Sequence, residues 1–210
     1  MSDVVDQPKT FSERIWGIDW RAELPWSHGG IVAEVATFEE GLAFVEAHYP
    51  AIFGPLIGEA RFVRDAMTPA KRRFGAEMDV VAFRDGAATI GLWMAHPTDW
   101  STYYLRSGGL LEAYRDRRII GEFMQHVSGV LRRAGVDRFD AECSPSNLAS
   151  MRLMTRLGWV VTSTTNSERW GAVVRCSKFL REEAEAVFLR QFCALSNGRS
   201  ERILPEGPQP

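Results

Sequence analysis

The chain has 210 residues, 45% hydrophobic and 25% charged, which suffices for one substantial core or two small ones. Its 25 Lys and Arg against 27 Asp and Glu give a formal charge of −2, so no net positive field is present to hold a polyanion, and nucleic acid is excluded as a first expectation. Cys143, Cys176 and Cys193 fit neither a disulfide framework nor a CxxC metal site, no stretch approaches the roughly 18 apolar residues of a membrane span, and the acidic start Met1-Ser-Asp-Val-Val-Asp is no secretory signal. A cytoplasmic protein, off the membrane and without a metal, is expected.

Residues 1–30 mix Trp16, Trp20, Pro25, Trp26, Gly29 and Gly30 without a clear period, and read as an irregular arm whose aromatics pack on the body. Ile31 to Ala36 is a short β-branched strand. Thr37 with Glu40 makes a capping box that opens the amphipathic helix of Phe38, Leu42, Val45 and Tyr49. A second helical stretch is expected around Glu59 to Ala66, and Thr68-Pro69 supplies a cap and first helical position for one more turn.

Asp79 to Arg84 and Ala87 to Met94 flank Asp85-Gly86, the best hairpin signal in the chain. Trp100 to Leu111 reads as a strand, with Gly108-Gly109 marking a bulge or a close approach. Ile120, Phe123, Val127 and Val130 recur at helical spacing up to Gly135. Val136 to Cys143 is strand-like, Pro145 to Leu157 is helical, and Val160 to Thr165 with Ala172 to Phe179 forms a second antiparallel pair. A last helix runs over 181–195 and either packs on its own domain or makes a dimer contact, before a tail at 196–210 with little to bury. The order gives an α/β (α+β) class: one mixed sheet with helices on its faces.

Two segments carry a resemblance. Leu110-Leu-Glu-Ala-Tyr-Arg115-Asp116-Arg117-Arg118-Ile119-Ile120-Gly121 resembles the strand–turn–helix of the GNAT acyltransferase superfamily, where an Arg/Gln-x-x-Gly-x-Gly/Ala turn meets the pyrophosphate of CoA. Backbone N–H groups at a helix start lack partners within the helix and suit such an anion. Arg118 and Ile120 stand where the family has glycine. Three arginines at a helix start oppose its dipole, so the segment is either a solvated basic turn or a site that an anion neutralises. Asp140-Ala-Glu142-Cys143-Ser-Pro-Ser-Asn147-Leu-Ala-Ser150, ending in Leu157-Gly158-Trp159, resembles the family's later strand and helix. Asn147 either caps that helix or, as the resemblance implies, contacts the cofactor arm.

The resemblance covers roughly Ile31 to Phe179. It implies a GNAT-like, mostly antiparallel sheet of six to seven strands, an acyltransferase domain over 31–180, and an acyl-CoA co-substrate held by Gly108, Gly109, Leu110, residues 115–121 and Asn147. The amides of Gly108, Gly109 and Leu110 would polarise the thioester carbonyl, unless the glycines only bend the sheet. Glu142 falls where several relatives place a general base, although an exposed strand Glu is the commoner state of that residue. The family's proton-donating Tyr is replaced by Met154, which leaves Ser150, Cys143, Tyr103, Tyr104 or water to serve the leaving thiolate. Asp99 would meet a cationic amine or simply make a turn. The expected activity is acyl transfer to a primary amine of a small molecule or peptide. The alternatives are a longer acyl chain from CoA or an acyl carrier protein, for which Met154 would make room, or a non-catalytic assembly module, as a monomer or homodimer.

Overall fold

The computed structural model describes residues 9–52, 68–167 and 171–196. The helix expected around Glu59 to Ala66 and the tail from residue 197 lie outside them. Among the described residues no helix is long and apolar enough to cross a membrane.

One eight-stranded sheet carries the fold: β1 (Trp26–His28), β2 (Ile31–Val35), β3 (Asp79–Asp85), β4 (Ala88–Pro97), β5 (Thr102–Leu110), β6 (Arg138–Cys143), β7 (Val160–Ser167) and β8 (Gly171–Phe179). Its order is β1-β2-β3-β4-β5-β6-β8-β7, antiparallel throughout except for the parallel β5–β6 pair. That parallel pair requires a crossover, and the helix Ile119–Arg133 supplies it.

The arm is not irregular. It folds as α1 (Phe11–Trp16), α2 (Trp20–Glu23) and the edge strand β1, the extra strand beyond the six to seven expected. Short elements give too few residues to show a period, but their caps are strong. The Thr10 hydroxyl accepts from the Glu13 amide, the Asp19 carboxylate from the Arg21 amide, and Gly17 ends α1 at φ 70°. Ile18, Trp20 and Leu24 are buried in the main core.

The capping box forms as expected at the start of α3 (Phe38–Ile52): the Thr37 amide donates to Glu40 Oε2 at 2.7 Å, and the Glu40 amide to Thr37 Oγ1 at 3.2 Å. Thr68 caps α4 (Pro69–Ala76) through the Lys71 amide. The hairpin closes one residue later than expected, with Asp85 paired to Ala88 and Gly86, at φ 56°, taking the first loop position. Only glycine adopts that angle without strain.

The core has two parts, one on each face of the sheet. α1, α2, α5 (Ile119–Arg133) and α6 (Leu148–Arg156) cover the larger one, built on Trp93, Tyr103, Phe123, Phe139 and Leu131, each under 2% exposed. On the other face α3 packs Phe38, Leu42 and Val45 against Met78, Val80, Leu92 and Met94. The terminal helix α7 (Glu182–Ser196) lies against β8, where Phe188 stacks on Phe179 at 5.0 Å, while Val187 and Leu189 stay exposed.

Candidate active site

A wedge in the sheet organises the site. β5 and β6 pair from Thr102 with Arg138 up to Leu105 with Ala141, and there the pairing ends. Beyond it, β5 continues to Leu110 bonded only to β4, while β6 continues through Glu142 and Cys143 bonded only to β8. Each strand therefore turns a free edge toward the gap. Such edges invite an extended ligand, because their N–H and C=O groups lack partners. A register shift at Met94/Ala95 places an extra residue, Arg106, in β5 where the strands part. The bulge thus precedes Gly108-Gly109, which pair regularly with Trp93 and Leu92. Gly109 is there for close approach: a β-carbon on it would stand 2.8 Å from Ile52 Cγ2 of α3.

At the wide end of the wedge, a short 3₁₀ turn (Glu112–Tyr114) leads into α5. The Arg115 amide closes that turn on Glu112, and the Glu122 amide bonds back to Arg118. Between them, the amides of Asp116, Arg117, Arg118, Ile119, Ile120 and Gly121 reach no acceptor among the described residues. Asp116 and Arg118 hold φ of 63° and 61°, the left-handed geometry that the family's glycine adopts freely. The left-handed backbone of the turn is thus kept with side chains in place of glycine, and its unbonded amides suit an anion.

The arginines divide their work. The Arg115 guanidinium turns back, its Nε donating to the Leu110 carbonyl at 3.2 Å and its Nη2 to the Ala51 carbonyl at 2.8 Å, so it ties the turn to β5 and α3. Arg117 stacks 4.8 Å over the Tyr114 ring, whose hydroxyl donates to Asp85 at 2.9 Å. Arg118 is exposed. Because a left-handed non-glycine residue costs about 1–2 kcal/mol, Arg118→Gly is expected to raise the unfolding midpoint of the ligand-free protein by roughly 2–8 °C. A lowered midpoint in a thermal melt would mean that the arginine side chain stabilises the turn by more than its strain costs.

On the α3 face a chain of side chains crosses four adjacent strands at the narrow end of the wedge: His96 (β4) pairs with Tyr104 (β5), whose hydroxyl reaches diagonally to Glu142 (β6), and Glu142 pairs with Arg175 (β8). Arg175 donates twice to Glu142 Oε1, at 3.0 and 2.7 Å, and the Tyr104 hydroxyl donates to Oε2 at 3.2 Å. Both oxygens of Glu142 are therefore engaged. Burial, then the neighbouring Glu142 charge, pushes the Tyr104 hydroxyl up to about 12. Beneath the row, Asp140 is 1% exposed between Arg138 and Arg175, and burial raises its carboxyl above the usual range against the pull of Ser177 and both arginines.

Asn147 caps α6, its Oδ1 accepting from the Ser150 amide at 3.1 Å, which leaves its Nδ2 group free for a ligand. The Ser150 hydroxyl, one turn in, makes no hydrogen bond to a described residue. Met154 is 5% exposed and packs within the main core. Cys143 lies against Met151, sulfur to sulfur at 3.5 Å. Asp99 makes a turn, accepting from the Ser101 amide at 2.7 Å. Sequence reading missed Arg175 and gave His96 no role. Nothing local marks either of them, since the strand pairing alone puts them beside Tyr104 and Glu142.

A sheet split between parallel neighbours, with a turn of unbonded amides at the start of the crossover helix, is the architecture the resemblance to acyltransferases implies. The model of the acetyltransferase (GNAT) family matches residues 46–159, more than half of the chain, and the protein belongs to that family. No curated protein matches it in sequence. Among solved structures it is similar to yncA of Salmonella typhimurium, solved with its cofactor acetyl-CoA (16% identity, 73% of this chain and 96% of that one, TM-score 0.54). It is also similar to the ribosomal-protein-S5-alanine acetyltransferase of Vibrio fischeri (14%, 76% and 98%, TM-score 0.58). A third likeness is to an N-acetyltransferase of Staphylococcus aureus Mu50 (16%, 72% and 99%, TM-score 0.56). At these identities the likeness establishes the fold.

Proposed function

We propose that the protein transfers an acetyl or another short acyl group from acyl-CoA to a primary amine of a small molecule or peptide in the cytoplasm. The run of unbonded amides over residues 116–121, at the wide end of the wedge, carries the reading. Pyrophosphate oxygens would accept from those amides, with Arg117 and Arg118 adding charge. The cofactor arm would then follow the free edge of β5 past Leu110, Gly109 and Gly108, with Asn147 Nδ2 beside it. This course brings the thioester toward the row at Tyr104 and Glu142. Glu142 would draw the acceptor's ammonium group, and Ser150 would stand near the leaving sulfur. Met154, packed in the core, offers no room for a long chain, which favours acetyl over longer donors.

Thermal unfolding with acyl-CoAs from acetyl to decanoyl tests this. A ligand at ~100 times its dissociation constant stabilises by about 2.7 kcal/mol, a shift of several degrees for a domain this size. The largest shift is expected with acetyl-CoA or its nearest homologues. A gain of ~0.8 kcal/mol per added CH₂ would instead mark a buried long-chain site, and no shift with any CoA would sink the proposal.

A further inference from the structure

An amine that attacks a thioester must give up a proton, and we propose that the Nε2 atom of His96 takes it. The inference rests on the acyl transfer just proposed and identifies a group that no part of the family resemblance pointed to.

The tautomer follows from the hydrogen bonding. His96 Nδ1 lies 2.8 Å from the Pro97 carbonyl oxygen. A carbonyl only accepts, so Nδ1 carries the ring hydrogen and Nε2 holds a lone pair. The residue is 9% exposed, and its Nε2 is buried without a hydrogen-bond partner among the described residues. A bare buried acceptor costs ~1–3 kcal/mol, and an arriving N–H donor removes that cost. A ligand amine supplies such a donor.

Position agrees with this role. His96 pairs directly with Tyr104, whose hydroxyl reaches Glu142 across the narrow end of the wedge. The imidazole packs edge-on against Tyr104 at 5.7 Å and against Phe74 of α4 at 5.4 Å. Phe74 is 44% exposed, so this neighbour of the imidazole is a surface side chain that a substrate can displace. Beside His96 stand Tyr104 and the Arg106 charge from β5, while α4 contributes the uncharged Phe74; Glu142 of β6 and Arg175 of β8 lie beyond Tyr104. Burial first, then the Arg106 charge, lowers the imidazole below its usual range against the bond to Pro97, so the ring is neutral near pH 7. Glu142 is less suited to the task. Both of its oxygens already accept hydrogen bonds, one from Tyr104 and the other twice from Arg175.

The step balances. The amine nitrogen forms a bond to the thioester carbon and its proton passes to Nε2. The tetrahedral intermediate then collapses as the C–S bond breaks, and its electron pair leaves with sulfur. The thiolate, from a thiol of pKa about 8.5, takes a proton from water, and the imidazolium releases its own to solvent.

His96→Asn tests the idea, because the shorter amide keeps a donor for the Pro97 carbonyl and removes only Nε2. The panel contains a peptide with a free N-terminus, a diamine and an amino sugar, and the amine that native protein turns over fastest is used. With it, kcat should fall ~10²–10⁴-fold while KM changes less than about threefold, and the acid limb of the kcat–pH profile should disappear. Acetyl-CoA should still raise the melting temperature of the variant as it does for native protein. A kcat within about threefold of native, or an acid limb that persists, overturns the inference. If acetyl-CoA binds but no amine in the panel reacts, ¹⁵N NMR of the native histidines decides: a bare Nε2 titrating below its usual range upholds the assignment, and a protonated Nε2 overturns it. Failure of acetyl-CoA to bind native protein refutes the acyl-transfer reading itself, which separates the two failures.

Discussion

Gly91→Ala should lower stability by about 3 kcal/mol and the melting temperature by roughly 6–12 °C, the largest effect of a single methyl group expected in this protein. Gly91 sits in β4 between Phe83 of β3 and Leu110 of β5. A β-carbon there would lie 2.3 Å from Leu110 Cδ2, 2.8 Å from the Gly109 carbonyl oxygen and 3.3 Å from Phe83 Cδ2. The leucine can rotate, but the carbonyl is backbone and moves only if β5 moves. Because β5 beyond Leu105 has no partner on its other side, the displacement falls on the edge proposed to carry the cofactor arm. Acetyl-CoA should therefore stabilise this variant less than the native protein. Gly108→Ala provides the contrast, since its β-carbon would meet neighbours no closer than 3.5 Å and should change stability by less than about 0.5 kcal/mol. Equal melting temperatures for Gly91→Ala and native protein would show that the sheet accommodates the methyl group.

The legible parts of the fold were those where local chemistry and periodicity agree. The Thr37–Glu40 box, the spacing of Phe123, Val127 and Val130, and the hairpin at Gly86 each state their structure within a few residues. The arm was not legible, because α1 and α2 span six and four residues and their order comes from Trp20 and Ile18 packing into a core built by distant strands. The same division runs through the site. The turn at 115–121 and the capping Asn147 are local and were found, although the left-handed angles of Asp116 and Arg118 could not be read from residues that ordinarily avoid them. Arg175 and His96 lie 33 residues after and 46 residues before Glu142 and meet its surroundings only through strand pairing. Spacing along the chain carries no trace of that.

The second large effect concerns pH. Asp79 is 3% exposed and accepts the Ser12 hydroxyl at 2.6 and 2.7 Å, joining α1 to β3 through the floor of the main core. Burial pushes its carboxyl up to about 6, against the lowering effect of hydrogen bonds from Ser12, Thr10, Tyr103 and Trp20. In the unfolded chain the same group titrates near the ordinary aspartate value of about 4. Below that value both states hold the proton and the group costs nothing. As pH rises from about 4 to about 6 the unfolded state loses its proton first, so native stability falls, by on the order of 3 kcal/mol in all, and stays lowered above pH 6. Asp79→Asn keeps an oxygen to accept from Ser12 and removes the titration. Urea unfolding at pH 4 and pH 7 is the measurement. The stability of the variant relative to native protein should rise by roughly 3 kcal/mol between those two values. Asp140, also raised by burial, shifts native stability in the same sense, but it is present in both proteins and cancels in the difference. A relative stability that does not change between pH 4 and pH 7 would mean that Asp79 ionises in the folded protein as easily as in the unfolded chain. The Ser12–Asp79 contact would then have to hold a full charge inside the core.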